Sequence, residues 1–184
     1  IGLGSDASLD DNIIIVSATI NPNSDGETSE GSIFNKRNAG TGWMLHLASE
    51  SGGYSKLRLY VNFSTTAGDW MTTNAIIPNG ELSYITLYYD RSNVSNNPVL
   101  IVNGIKYTVG NGITENGSPA GTFTTDASEN LNIGNNTAGG STFDGYIDNA
   151  KVSDVTIPSS EAITSYNAEK SDSDIITAGD ENTQ

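Results

Sequence analysis

The sequence predicts an all-β fold: an antiparallel two-sheet sandwich, or jelly roll, with one short C-terminal helix. Short runs of β-branched and aromatic residues recur along the 184 residues, and turns rich in Gly and Asn separate them. No long segment repeats its apolar residues with the 3.6-residue period of a helix. An α/β sheet would need several crossover helices, and only one helical segment is found.

Five strands are predicted in the first part of the chain, over residues 12–20, 32–37, 43–49, 56–63 and 69–77. The clearest alternation lies in 56–63, where Leu57, Leu59 and Val61 share one face while Arg58 and Tyr60 lie on the other. Such alternation is typical of an antiparallel strand with one buried face.

The second part of the chain carries five more predicted strands, over residues 82–89, 99–102, 105–109, 131–134 and 143–152. Asn103 and Gly104 lie between two of them, and Asn-Gly between apolar runs is the strongest short hairpin signal. Residues 110–128 are predicted to be a long loop. A helix is predicted over 159–169, because Pro158 and two serines lie at its start and Glu161 suits its first turn.

These elements predict three parts: a lead-in segment over residues 1–11, the sandwich domain over 12–170, and an acidic tail or linker over 171–184. The chain has 22 acidic and 8 basic residues and a net charge of −14. This balance argues against nucleic acid as a partner, since phosphate contacts need a basic stripe. No apolar run is long enough to span a membrane, so no membrane insertion is expected. The absence of cysteine excludes disulfides and thiol nucleophiles.

Several segments resemble the LamG-like jelly roll of the concanavalin A-like lectin/glucanase superfamily, and they occur in that family's order. They are 33–36 with 42–45, 85–90, 100–104, 131–134 and 143–152, the last containing Gly145-Tyr146-Ile147-Asp148. The resemblance covers residues 12–168. It implies the sandwich fold and a location outside cells, on a cell surface or on a virion surface. Proteins of this group include lectins, adhesion modules, glucanases and viral structural domains, so the fold alone does not determine the function.

The resemblance also implies a structural calcium ion. The family places an Asp like Asp148 at a calcium site at the edge of the sandwich, with carbonyl groups from the N-terminal lead-in. Asp11 lies in that lead-in and is a second candidate ligand. Calcium prefers oxygen ligands such as carboxylates and backbone carbonyls. The alternative is that Asp148 only hydrogen-bonds to nearby backbone.

A ligand-binding face is predicted on the side of the sheet that carries Arg58 and Tyr60. If the strands lie side by side, His46, Tyr84 and Tyr88 face outward beside them and line one concave surface. The alternative is an ordinary sheet surface, because β-propensity alone favours Tyr. Trp70 is a further ligand-binding candidate if it lies in an exposed loop, and a core residue if it is buried.

Catalysis is not expected. Glycoside hydrolysis needs two carboxylates that flank one bond, and no predicted core strand carries acids two positions apart. The acid pairs Asp25/Glu27 and Asp172/Asp174 lie in a loop and in the tail. No Gly-x-Ser-x-Gly motif is present either.

The sequence therefore predicts a non-catalytic recognition or adhesion module that binds glycan or protein surfaces, with a structural calcium ion. The first alternative is an architectural domain that binds neighbouring subunits, as a virion decoration or appendage or a surface-layer component. The second alternative is an enzyme similar to glycoside hydrolases.

Overall fold

The structure is a computed structural model, and it describes residues 1–153. Twelve strands lie in this range: β1 (Ile13–Pro22), β2 (Ser32–Asn38), β3 (Thr41–Ser51), β4 (Tyr54–Val61), β5 (Gly68–Thr72), β6 (Ile77–Pro78), β7 (Ser83–Asp90), β8 (Val99–Val102), β9 (Ile105–Val109), β10 (Gly112–Gly117), β11 (Asn132–Ile133) and β12 (Gly145–Ser153). Two single 3-10 turns, Ala7–Leu9 and Glu27–Ser29, are the helical elements among these residues. No helix in this part of the chain is long and apolar enough to cross a membrane. The predicted helix 159–169 and tail 171–184 lie outside the described residues.

The strands form two sheets. The first has the order β11-β2-β3-β4-β5-β10, with β6 paired to β4, and the second has the order β9-β8-β7-β1-β12. A two-residue parallel pairing of β9 with β10 joins the sheets at one side. The other pairings between the named strands of residues 1–153 are antiparallel. The predicted antiparallel sandwich is confirmed.

The alternation in β4 places its apolar residues in the core. Leu57, Leu59 and Val61 are fully buried, and they belong to the same cluster as Ile85 and Leu87 of the second sheet. Burial of each such side chain stabilises the fold by about 1.5–3 kcal/mol. The inner faces of the two sheets therefore provide one continuous core.

Two local predictions are wrong. Residues 110–128 are not all loop, because they contain β10, which is mostly polar and buries Ile113. Its order comes from pairing with β5, which the local sequence does not reveal. Residues 69–77 do not form one strand either. The Thr72 hydroxyl donates to the Asn74 carbonyl at 2.9 Å, and this bend separates β5 from β6.

A buried ionic cluster ties four distant segments together. Lys36 Nζ donates to Asp10 Oδ1 at 2.7 Å and to the Asp126 carbonyl at 2.6 Å. Arg91 donates to both carboxylate oxygens of Asp126, at 2.6 and 3.2 Å. Its guanidinium also lies 3.9 Å from the centre of the Phe123 ring. Because Asp126 serves two buried cations, it is the central group of this cluster.

The lead-in segment is attached to the sandwich along its length. The Ile1 ammonium donates to the Ile133 carbonyl at 2.8 Å, and the Leu3 amide donates to the Leu131 carbonyl at 2.7 Å. Asp10 completes the attachment through Lys36. The lead-in therefore lies against the first sheet beside β11.

Gly40 in the β2–β3 turn and Gly42 at the start of β3 give a matched test of packing. Gly40 and Gly42 both have positive φ, of 88° and 73°. A Cβ at Gly40 would meet open space, whereas one at Gly42 would overlap the Lys36 carbonyl. Each substitution by Ala costs about 1–2 kcal/mol for the left-handed backbone. We expect Gly42→Ala to cost about 1–3 kcal/mol more than Gly40→Ala, because of the overlap. Free energies of unfolding in urea measure the difference, and equal losses would contradict the expectation.

Candidate ligand-binding site

Arg58 and Tyr60 lie on the outer face of the first sheet, where they were predicted. Both are half-buried. In the register of β3 and β4, Tyr60 lies opposite Met44 and Arg58 lies opposite His46. Arg58 donates to both carboxylate oxygens of Asp69, at 2.8 and 2.6 Å, and this hydrogen bonding raises the pKa of Arg58. Its charge is therefore already neutralised within the fold.

His46 was expected on the outer binding surface, but it is not exposed, so this expectation is wrong. The side chain is fully buried, with Nδ1 3.0 Å from the Leu47 carbonyl oxygen. Nε2 has no hydrogen-bond partner among residues 1–153. Burial, the larger cause, and the Arg58 charge together lower the pKa of His46 to about 4. His46 is therefore a neutral, enclosed side chain at neutral pH.

Trp70 is a core residue, which excludes direct contact with a ligand in this conformation. It lies on β5, is fully buried, and packs against Tyr89 with ring centres 5.0 Å apart. The preceding residues, 67–69, are small or polar and are typical of a loop. In the structure Gly68 and Asp69 belong to β5, because this segment pairs with β4.

Tyr84 and Tyr88 do not join Tyr60 on one surface. They lie on β7, which pairs with β1 and β8 in the second sheet. The chain crosses from the first sheet to the second between β6 and β7, so consecutive strands are not neighbours there. Tyr84 is also buried, whereas Tyr88 is half-buried. The single concave surface expected from the sequence is wrong, and a role for Tyr88 in binding stays a prediction.

The two candidate calcium ligands lie far apart. Asp11 is exposed two residues before β1, and its carboxylate accepts the Ile13 amide at 3.3 Å. Asp148 is exposed on β12 opposite Thr19, and its carboxylate accepts the Asn149 amide at 2.7 Å. Asp11 lies at Ile13, and Asp148 lies opposite Thr19, six residues farther along β1. Six residues of strand span about 20 Å, so the two carboxylates do not share one ion. No group of three Asp, Glu, His or Cys side chains within residues 1–153 is arranged to hold a metal. Calcium binding at Asp148 stays a prediction.

A groove lies on the outer face of the first sheet, and sequence reasoning missed it. Its volume is about 300 Å³. The strand side of the groove is lined by Asn35, Arg37, Asn38, Ala39 and Met44. Asn35 and Met44 are 2% and 5% exposed and lie opposite each other in β2 and β3, so they form its floor.

The other side of the groove is a loop, residues 134–142, which the sequence marks only as a Gly/Asn-rich turn. Asn136, Thr137, Ala138 and Ser141 of this loop line the groove, and so does Glu30, which lies just before β2.

Hydrogen bonds fix the loop in place. The Asn135 side-chain oxygen accepts the amides of Asn136 and Ser141, at 2.8 and 3.1 Å. Asn136 Nδ2 donates to the Ser141 hydroxyl at 3.0 Å, and Asn136 Oδ1 accepts the Gly140 amide at 2.9 Å. A binding wall that is held by its own bonds loses little conformational entropy when a ligand binds.

Arg37 connects the groove to the predicted Tyr60 surface. Its guanidinium carbon lies 4.7 Å from the centre of the Tyr60 ring, which is a cation–π contact. The Tyr60 ring therefore supports Arg37 at the side of the groove. The sequence contained a signal for this pair, since Arg37 and Tyr60 alternate onto the outer faces of β2 and β4. Their distance depends on the order β2-β3-β4.

The carboxylates of Asp25 and Glu27 accept hydrogen bonds from other residues of the fold. Asp25 Oδ2 accepts the Glu50 amide at 3.1 Å, and Glu27 Oε2 accepts the amide and hydroxyl of Thr142 at 3.2 and 2.8 Å. The hydrogen bonds from Thr142 lower the pKa of Glu27. A general acid needs the opposite change, a raised pKa that retains a proton near neutrality. Glu27 therefore lacks the electrostatic setting of a catalytic acid.

The same fold occurs in a known family. The family model Laminin_G_3, of the concanavalin A-like lectin/glucanases superfamily, matches residues 3–162. The chain belongs to this family. The family resemblance expected from the sequence is thus confirmed, and the groove lies within the matched range.

Solved structures share the fold of this laminin G-like domain at low sequence identity. A native heptameric SAP-like pentraxin from Limulus polyphemus matches with a TM-score of 0.60 and 16% identity, over 84% of this chain and 70% of that chain. The receptor-binding domain of botulinum neurotoxin type G matches with a TM-score of 0.56 and 11% identity, over 86% of this chain and 38% of that chain. No curated protein sequence matches the chain. At these identities the likeness is one of fold.

Proposed function

We propose that this laminin G-like domain is a non-catalytic recognition module that binds a glycan in the groove between β2–β3 and loop 134–142. The observation that carries the proposal is a pre-formed groove of about 300 Å³ whose lining combines polar side chains with Met44 and two alanines. That volume lies at the lower end of the range for small-ligand sites and suits a short saccharide unit. The family belongs to a superfamily of lectins and glucanases, which supports a carbohydrate ligand.

The floor of the groove offers a hydrogen-bond donor whose contacts within the fold are weak. Among residues 1–153, Asn35 Nδ2 has only long contacts, 3.5 Å to the Ser32 hydroxyl and 3.7 Å to the Met44 sulfur. A buried donor with such poor geometry gains from a better acceptor. A sugar hydroxyl in the groove would supply one.

The lining residues also favour binding over hydrolysis. Glu30 is the one carboxylate that lines the groove within the described residues. Cleavage of a glycosidic bond by the usual mechanism requires two carboxylates on either side of that bond. A single carboxylate is suited to accepting hydrogen bonds from sugar hydroxyls.

Filling the groove tests the proposal. Ala138 and Ala127 are both exposed alanines in loops, and only Ala138 lines the groove. On a broad glycan array, probed once with calcium and once with EDTA, we expect a set of related glycans to bind. Ala138→Trp should weaken that binding at least about tenfold through steric exclusion, which corresponds to 1.4 kcal/mol, while Ala127→Trp should leave it unchanged.

Absence of any glycan ligand for the folded protein would contradict the proposal. Binding that resists Ala138→Trp would contradict the assignment to this groove. The comparison of calcium with EDTA tests the predicted calcium ion in the same experiment. The alternative architectural role with neighbouring subunits, and the location outside cells or on a virion, stay predictions.

A further inference from the structure

We infer that the groove selects a glycan bearing a carboxylate, and that Arg37 binds this carboxylate through two parallel hydrogen bonds. The inference rests on the proposed function and specifies its ligand class. It depends on how Arg37 differs from the other two arginines of the chain.

Arg58 and Arg91 each have a carboxylate partner. Arg58 pairs with Asp69 and Arg91 pairs with Asp126, both with a closest contact of 2.6 Å. Arg37 makes no ion pair within 4.0 Å among residues 1–153. It is therefore a half-buried cation whose charge remains available to an anion in the groove.

The unpaired Nε–H of Arg37 determines where an acceptor on the ligand must lie. This nitrogen is buried and has no hydrogen-bond partner among the described residues. Arg91 Nε is unpaired as well, but Arg91 is enclosed with Asp126, whereas Arg37 lines the groove, where an added acceptor can pair with its Nε. Nε and the neighbouring Nη nitrogen form a planar fork that matches the two oxygens of a carboxylate.

Tyr60 holds the guanidinium against its ring at 4.7 Å. This stacking restricts Arg37 and reduces the entropy that it loses on binding. A ligand can therefore use the fork without first ordering the side chain.

Glu30 determines the orientation of the ligand. It lines the groove just before the start of β2, whereas Arg37 lies near the end of that strand. A carboxylate placed beside Glu30 would be repelled, whereas sugar hydroxyls there can donate to it. A uronic acid satisfies both residues, with its carboxylate at Arg37 and its hydroxyls toward Glu30 and Asn35.

The experiment compares uronic-acid oligosaccharides with their carboxyl-reduced counterparts, which keep the linkages and lose the charge. We expect the intact protein to bind the acidic form at least about tenfold more tightly in calorimetric titrations. Arg37→Gln should weaken binding of the acidic form by about 10- to 100-fold, the range for a hydrogen bond to a charged group. The same variant should leave binding of the reduced form nearly unchanged.

Two further variants separate charge from geometry. Arg37→Lys keeps the charge and loses the planar fork, so we expect it to bind the acidic form about as weakly as Arg37→Gln. Lys56→Gln removes a charge from β4 outside the groove and should bind like the wild type. Wild-type affinity in Arg37→Lys would overturn the two-bond geometry.

Failure of this inference is distinguishable from failure of the proposed function. Equal binding of acidic and reduced oligosaccharides, sensitive to Ala138→Trp but insensitive to Arg37→Gln, would overturn the carboxylate specificity alone. Preference for sulfated over carboxylated sugars would also overturn it, because a planar carboxylate would then not determine the specificity of the groove. Absence of binding to any glycan would overturn both.

Discussion

Replacing Asp126 with Asn should lower the free energy of unfolding by about 3–5 kcal/mol, the range for breaking a buried ion pair. Asp126 and Arg91 are each 1% exposed, and the Lys36 side chain is fully buried. The substitution preserves the volume of the side chain but removes its charge. Arg91 then has no carboxylate partner among residues 1–153, and Lys36 keeps only that of Asp10, which is 23% exposed. Chemical denaturation measures the loss.

The matched control is Asp69→Asn, which breaks an ion pair of similar geometry that is partly exposed to water. Arg58 and Asp69 are 29% and 14% exposed, so water compensates both charges in part. We expect a loss of about 0–1 kcal/mol there. Similar losses in the two variants would show that burial of the Asp126 cluster does not determine its contribution.

Lowering the pH from 6.5 to 4 should destabilise the protein, because His46 is protonated in the unfolded chain but not in the folded one. The pKa of His46 falls from the ordinary 6.5 to about 4 in the folded state. Between these values the unfolded chain binds a proton that the folded chain excludes, so stability falls as the pH decreases from 6.5 to 4. The full loss from this group is about 3 kcal/mol. Above about pH 7.5 the group contributes no pH dependence, because it is neutral in both states.

His46→Asn isolates this effect. An Asn side chain keeps an amide donor near the position of Nδ1, toward the Leu47 carbonyl, and it does not titrate. Exposed carboxylates such as Glu27 and Asp144 also protonate in acid, and hydrogen bonds lower the pKa of each in the folded protein. The difference between the wild-type and His46→Asn unfolding curves cancels their contribution. Curves that stay parallel from pH 7.5 to 4 would contradict the assignment to His46.

The sequence was most informative about side-chain faces and least informative about strand neighbours. The alternation of Leu57, Leu59 and Val61 predicted their burial, and the opposite face of the same strand carries Arg58 and Tyr60 as expected. The sequence also suggested that Tyr84 and Tyr88 lie near Tyr60, and this was wrong. Period-2 alternation is a local property of one strand, whereas the neighbour of a strand depends on where the chain crosses between sheets.

The binding groove likewise combines a part that the local sequence predicts with a part that depends on a distant segment. Its floor residue Asn35 and its cation Arg37 belong to a predicted strand, but its other side comes from loop 134–142, about a hundred residues later. The side-chain hydrogen bonds of Asn135 and Asn136 order that loop, and composition alone marks it only as a turn.

The sequence by itself determined the all-β class, the family and the faces of the long strands, because these follow from local periodicity and from the order of short motifs. Only the tertiary structure decided that His46 and Trp70 are enclosed and that Asp11 and Asp148 lie apart. It also decided that Arg37 lies on Tyr60 with no carboxylate partner among residues 1–153. Burial and charge pairing depend on contacts between segments distant in the chain. Packing of the whole sandwich establishes these contacts.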